Sequence, residues 1–536
     1  MKVSIAIAGM FAALCLGSEA SAQAGAAAPI LKTGSGQVQG VTLKSGVRAY
    51  LGIPYAAPPV RELRWREPQP VRRWTGVYHA DRFGPQCTQP QRGLQTNQYS
   101  GAEVTSEDCL YLNVWSRPGL KKAPVIVYIY GGGFFIGASN MPLYGGEGVA
   151  ERGAVFVNLN YRVGVLGFLS LPELSAESAH KASGDYAFLD QIAALKWVHD
   201  NIAAFGGDPN NVTIAGQSAG SMSVLALQAS PLAKGLFQKA VGMSGAQIGP
   251  PDQPVLKPLP AGEAEGQKFE ALMKVKSLDE LRALPADRLV VPRVPGSPSI
   301  GPVMDGYVLP AQAGAIFAAG RQNDVPLMLG FAHDESFGGL GAIKDLADYR
   351  DKVQAKYGAR SAEFLALYPA TSDEEAKRQA RDADRDATMV LSMSDWAKAQ
   401  TKTGHAPVYS YLFNRPHSYA PGVRFTDMDP ATAGAYHTSE VPYWLGSLDA
   451  FNQFRHTRDW TAADWAFSHA MTDSLIAFAK TGKPDTATMH WPRYEAQHPM
   501  LLELDQTAHA APWPDQRKLD FFRTTPPVPL SGAVRD

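Results

Sequence analysis

The sequence predicts an α/β architecture: a mostly parallel central sheet with helices on both faces and helical insertions at the strand ends. Three observations carry this prediction. Short apolar runs bounded by Gly and Pro recur along the chain, as strands covered on both faces require. Helical patterns lie between them, and such alternation implies a parallel sheet with right-handed crossovers. In "NVTIAGQSAGSMSV", Asn211 to Val224, a β-branched run passes through a serine flanked by glycines into small residues suited to a helix. With 536 residues, 45% of them hydrophobic, the chain can bury a large core.

The N-terminus carries the pattern of an export signal. Lys2 precedes an apolar run from Val3 to Leu16, and Ala20-Ser21-Ala22 gives a small-x-small cleavage pattern, so residues 1–22 are expected to be removed after Ala22. The run is too short to span a bilayer, and no later segment is apolar for about 18 consecutive residues. The expected product is secreted or periplasmic, without stable membrane insertion. Cleavage would also remove Cys15 and leave Cys87 and Cys109, an even pair that reads as one disulfide in an oxidising compartment. Closing that loop is worth on the order of 3 kcal/mol in the chain-entropy model.

Residues 23–536 are expected to form a single domain. "GQVQGVTL" and "VRAYLGIPYA", separated by "KSG", alternate like an antiparallel hairpin at a sheet edge. Strands are expected in "APVIVYIYGGG" from Ala123, "GAVFVNLNYRVG" from Gly153 and "NVTIAGQS" from Asn211, then in "QKAVGMSG" from Gln238, "VPLMLGFA" from Val325 and "PVYSYLFN" from Pro407. Phe188, Ile192, Leu195, Val198, Ile202 and Phe205 form one helical stripe that Gly206-Gly207 terminates. Similar amphipathic stretches cover Ala261 to Leu289, Ser372 to Thr403 and Trp460 to Thr481. Insertions near 249–320 and 340–403 would cap the strand ends, with Pro-rich loops in the first. Asn211-Val212-Thr213 is formally a glycosylation sequon, but its place at the start of a strand favours burial.

Lys and Arg total 50 against 51 acidic residues, with no long like-charge block, which argues against nucleic acid and acidic membranes as partners and favours small-molecule chemistry. A strand that ends in G-x-S-x-G and enters a helix directly forms a tight turn, in which Gly216 and Gly220 avoid clashes and the Ser218 hydroxyl projects as a nucleophile. "IYGGGF", Ile129 to Phe134, follows a strand, and the N–H groups of Gly132, Gly133 and Ala219 could together bind an oxyanion. Phosphate binding does not fit, because the run lacks both the P-loop lysine and hydroxyl and the G-x-G-x-x-G spacing. Acid and base should follow the serine in that order. Spacing offers Asp334 or Glu335 as the acid and His417 or His437 as the base, and does not choose between them.

"FGGDPNNVTIAGQSAG", "EDCLYLNVWSR", "LGIPYAAPP", "IYGGGF", "NYRVGVLGFL", "PVMDGYVLP" and "GAYHTSEVPYW" resemble blocks of the type B carboxylesterase/cholinesterase family, in family order over nearly the whole mature chain. The resemblance implies an α/β-hydrolase fold and a serine carboxylesterase working through an acyl enzyme. It implies Ser218 as nucleophile, Glu335 as acid, His437 as base, and Gly132, Gly133 and Ala219 as the oxyanion hole. It also implies the Cys87–Cys109 disulfide. No cofactor and no metal are expected, the partner is a small-molecule ester, and a monomer is favoured with the oligomeric state open. The same triad would serve an amidase, a carbamate hydrolase or an acyltransferase. A noncatalytic adhesion-like relative would have lost the serine or the histidine.

Two positions depart from the family pattern. Gln217 stands where the family usually has Glu, which removes a charge near His437 and should lower the pKa of the base. The loop between the two cysteines holds Tyr99 as its only aromatic residue where choline-selective relatives carry a tryptophan, so choline specificity is not expected. Phe134, Phe135 and Phe337 are candidates for lining the pocket.

Overall fold

The computed structural model describes residues 25–99, 101 and 104–525, so the export signal expected at 1–22 lies outside the described residues. Its centre is a 13-stranded sheet. Twelve strands follow one path: β1 (Ala26–Lys32), β2 (Gln37–Thr42), β3 (Arg48–Pro54), β4 (Tyr111–Ser116), β5 (Ala123–Ile129), β6 (Val155–Leu159), β7 (Gly207–Gln217), β8 (Lys239–Met243), β9 (Leu327–Ala332), β10 (Val408–Phe413), β11 (Met500–Leu504) and β12 (Ala508–Pro512). Their spatial order is β1-β2-β3-β4-β6-β5-β7-β8-β9-β10-β11-β12, and Val77–His79 pairs separately with β2. The seven strands from β6 to β11 run parallel. β1 to β4 and the final β12 pair antiparallel at the two sides. The expected hairpin is β2–β3, and all six expected strands are present. β5, β6, β8 and β9 bury every residue, which is why their sequences show apolar runs without alternation.

Helices cover both faces. In α1 (Tyr186–Asn201) the predicted stripe buries Phe188, Ile192, Leu195 and Val198, and the chain leaves through one 3₁₀ turn to Gly206 at φ 90°. α2 (Ala219–Ala229) starts directly after Ser218. The stretch expected to be helical over Ala261–Leu289 divides into α3 (Leu259–Met273) and α4 (Leu278–Ala283). Lys274 adopts a left-handed conformation, φ 58°, that stops the first helix, and the Ser277 hydroxyl accepts from Glu280 N–H to start the second. α5 (Leu346–Tyr357) and α6 (Ser361–Leu367) precede α7 (Asp373–Arg385), which passes through a π-helical turn at 386–390 into α8 (Leu391–Thr403). α9 (Ala462–Thr481) opens with a reciprocal Thr461–Asp464 capping box. Around α3 and α4, Trp65, Leu166, Leu171, Phe269, Leu281 and Leu289 form a satellite core apart from the main one.

Three contacts hold the loops that frame the sheet's carboxyl edge. Cys87 and Cys109 form a disulfide. The loop it closes is tied to the chain near His437, because Asn97 N–H donates to Asp427 at 2.9 Å and the Gln98 amide donates to Thr438 Oγ1. The third is buried: Arg162 Nε and NH2 grip Asp190 at 2.8 and 2.7 Å and fasten the chain after β6 to α1. Asn211 lies in β7 and its side chain accepts from Lys239 Nζ, so strand formation prevails at the formal sequon. Among the described residues, no helix is long and apolar enough to cross a membrane.

Candidate active site

β7 ends at Gln217, and Ser218 turns the chain into α2 with φ 57° and ψ −124°, a conformation that non-glycine residues rarely adopt. Its N–H is anchored on Met243 O at 2.8 Å, at the end of neighbouring β8. A Cβ on Gly216 or Gly220 would overlap backbone oxygens of the turn and of β5, which accounts for both glycines. The strained turn carries a partly exposed hydroxyl at the carboxyl ends of the parallel strands, where open α/β sheets bind ligands.

β5 is hydrogen-bonded to β7, so the triple glycine that follows it lies beside Ser218. A Cβ on Gly131 would come within 2.9 Å of Ser218 Cβ. Gly132 and Gly133 sit at φ 108° and 61°, conformations that turn this backbone back on itself. Among the described residues their N–H groups donate to no protein acceptor, and Ala219, first in α2, has no intrahelical acceptor for its own. The helix N-terminus adds a partial positive charge there. Phe134 has a core role: it is buried against Phe168 and Phe188, with ring centroids 5.1 and 5.7 Å away. Phe135 is half-buried, and Phe337 packs edge-on against His437 at 5.0 Å.

Adjacent carboxylates after β9 point different ways. Glu335 is fully buried, accepts from Ala332 N–H at 3.1 Å, and sets Oε1 3.4 Å from His437 Nδ1. Asp334 accepts from Ala435 N–H at 2.8 Å and pairs with His333 at 3.1 Å. Burial would raise the Asp334 pKa, but the His333 contact and the backbone donor hold it below the ordinary carboxylate range. The two histidines separate equally clearly. His417 Nε2 meets Ser439 O at 2.8 Å, which makes Nδ1 the acceptor for Arg458 Nε at 3.1 Å and Tyr436 OH at 3.2 Å. Burial, reinforced by the Arg458 charge, pushes its pKa well below the imidazole range, and it serves as a structural hub. His437 keeps 23% of its side chain exposed. Burial pulls its pKa down, but the Glu335 charge and hydrogen bond, helped by Glu440, leave it raised above the ordinary value. Glu335 and His437 are therefore brought together, whereas Asp334 and His417 are committed elsewhere.

Glu440, to which sequence reasoning gave no role, and Gln217 complete the surroundings. Glu440 is buried and accepts from Ser244 Oγ at 3.1 Å; burial, then the Glu335 charge, lifts its pKa to about 7. Glu335 Oε2 and Glu440 Oε2 are both buried and have no hydrogen-bond partner among the described residues. The signal was the glutamate three residues after His437 in "HTSE". Gln217 also sits in the site. Its amide nitrogen is 3.2 Å from His437 Nε2 and 3.5 Å from Nδ1, so it lies over the ring rather than along one lone pair. Tyr99 does not enter this cluster; it packs on Phe454 at 5.3 Å beside a cleft at the disulfide loop.

A family model described as the carboxylesterase family matches residues 27–522. The chain belongs to that family. It is similar to a fumonisin B1 esterase of Sphingopyxis macrogoltabida, 36% identical over 86% of this chain and 84% of the relative. It is likewise similar to a para-nitrobenzyl esterase of Bacillus subtilis (strain 168), 35% identical over 92% of this chain and 98% of the relative. A solved PNB esterase structure superposes with a TM-score of 0.76 at 31% identity, covering 92% of this chain and 98% of that one. This carboxylesterase is thus a carboxylic ester hydrolase of the α/β-hydrolase fold, whose substrates are small-molecule esters.

Gln217 gives this carboxylesterase a measurable signature. A carboxylate at about 4 Å from an imidazolium, at an effective dielectric constant near 20, stabilises it by roughly 4 kcal/mol before screening. With His437 as the base that the resemblance implies, hydrolysis needs it neutral, so kcat/KM is expected to fall as pH drops through its pKa, and any group that stabilises the imidazolium moves that loss to higher pH. Gln217→Glu is therefore expected to raise the acid limb by about one unit or more, each unit being about 1.4 kcal/mol. A pH profile of kcat/KM for both proteins checks this; a limb that stays put or moves down would show that residue 217 does not tune the base.

Proposed function

We propose that Ser218, His437 and Glu335 act as nucleophile, base and acid of this carboxylesterase. His437 takes the Ser218 proton as the hydroxyl attacks the ester carbonyl, and the oxyanion settles on the N–H groups of Gly132, Gly133 and Ala219. The alcohol leaves after protonation by His437, and water repeats the sequence on the acyl enzyme. Glu335 fixes the imidazole tautomer with Nδ1–H toward itself and favours the imidazolium formed at each transfer. The observation that carries this reading is the 3.4 Å approach of His437 Nδ1 to the buried Glu335 carboxylate, with the same ring lying against the residue next to Ser218. We also propose that the chain is exported, secreted or periplasmic, on the strength of its N-terminal pattern and its disulfide. A fluorophosphonate probe is expected to label the wild type once, with the mass added to the Ser218 peptide; label on any other peptide would overturn the assignment.

A further inference from the structure

The segment that carries Glu335 is gripped from outside by α7. On one side of Glu335, Arg385 NH1 donates to His333 O at 2.8 Å. On the other, Asp384 Oδ2 accepts from Ser336 Oγ at 2.7 Å and from Phe337 N–H. Glu335 therefore lies between two points held by consecutive residues of one helix, and that helix turns π-helical at Asp386, a distortion often found at functional sites. The loop closes tightly around the Asp384 carboxylate: a Cβ on Gly339 would fall 2.5 Å from its Oδ1, and Lys356 Nζ of α5 donates to Gly339 O at 2.7 Å. Asp384 is only 7% exposed. Arg385 also pairs with Asp386 at 2.9 Å within the helix, whereas Asp384 turns its carboxylate to the loop.

We propose that Asp384 is a positioning residue of this carboxylesterase: by fixing Ser336 and Phe337 it holds the Glu335 carboxylate at His437 Nδ1, given Glu335 and His437 as acid and base. Glu335 Oε1 and His437 Nδ1 are already 3.4 Å apart, beyond the usual range for this bond, so drift of the loop weakens the contact further. A misplacement of about 1 Å in catalytic geometry can cost roughly 100-fold in rate. Two donors that converge on one buried carboxylate oxygen oppose that drift, and they tie the acid to the helical insertion rather than to the sheet alone.

The test measures kcat, KM and the acid limb of kcat/KM with 4-nitrophenyl acetate, together with melting temperature, on the full chain. Asp384→Ala is expected to lower kcat about tenfold or more with KM within about twofold, and to move the acid limb to lower pH, because a displaced Glu335 raises the His437 pKa less. Asp384→Asn keeps an oxygen for both donors but lacks the charge, and is expected to stay within a few fold of wild type with its limb in place. Lost charge acting through space on His437, Glu335 and Glu440, or through Lys356 and Tyr357, which face Asp384 from α5, would instead move the limb equally in both variants. Equal shifts would overturn the proposal. In a Glu335→Gln background Asp384→Ala is expected to cost no more than about twofold in kcat, because the two changes remove one interaction. The full loss in that background would overturn the proposal, as would a lower melting temperature with kcat, KM and limb unchanged. Asp384→Ser, whose hydroxyl falls short of the loop, takes the place of Asp384→Ala if that variant does not fold. Wild-type kcat in Glu335→Gln alone would instead remove the acid assignment.

Discussion

Ser218→Ala is expected to lower the turnover of 4-nitrophenyl esters by about six orders of magnitude, and His437→Ala by nearly as much, because nucleophile and base act as one unit. The residual rate should stay above the uncatalysed one, since the donors on Gly132, Gly133 and Ala219 remain. His417→Ala supplies the contrast. Its imidazole serves Ser439 O, Arg458 and Tyr436, so its loss should appear as a lower melting temperature, with kcat of the folded fraction within a few fold of wild type. Steady-state kinetics with circular dichroism on each variant checks both expectations. If His417→Ala removed activity from folded protein while His437→Ala did not, the base would be misassigned.

The second large effect is expected at Glu335, the proposed acid. Glu335→Gln keeps shape and burial but replaces the charge opposite Nδ1, and an equivalent change in a serine triad lowers kcat by about four orders of magnitude. The sign of the pH effect is also fixed. Burial lowers the His437 pKa and the Glu335 charge and hydrogen bond raise it, so removing that charge leaves the lowering influence less opposed. The acid limb of the residual activity should move to lower pH while its plateau falls. Asp334→Asn retains an oxygen for Ala435 N–H and should cost only a few fold. Comparable losses in both variants would mean that the two carboxylates share the role.

Features set by neighbouring residues were legible in the sequence. The serine between Gly216 and Gly220, the triple glycine after an apolar run and the stripe of α1 each declare themselves within a dozen positions. The acid and the base did not. Asp334 and Glu335 differ only in which way successive side chains leave the end of β9, and His437 reaches Glu335 from a segment 24 residues beyond the last residue of β10, Phe413. Family resemblance, not spacing, singled out Glu335 and His437. β4 was recognised as a block of sequence without being read as a strand, the β11–β12 pair was not anticipated, and the break between α3 and α4 was missed because left-handed Lys274 leaves no trace in an amphipathic period. Glu440 escaped because burial beside another carboxylate is a property of the packed molecule.

The backbone at Ser218 also limits which chemistries the scaffold can acquire by mutation. At φ 57° a side chain is tolerated only where its Cβ can be accommodated; a Cβ added at Gly131 would fall 2.9 Å from this one, and one added at Gly245 would meet the Ser218 backbone. A β-branched threonine would add a methyl group where the turn is tightest, so a threonine nucleophile is closed to this lineage without rebuilding the elbow. An unbranched cysteine would fit. Among side chains bearing a hydroxyl or thiol nucleophile, the route from a serine hydrolase to a thiol hydrolase is a single step, and the route to a threonine hydrolase lies outside the fold.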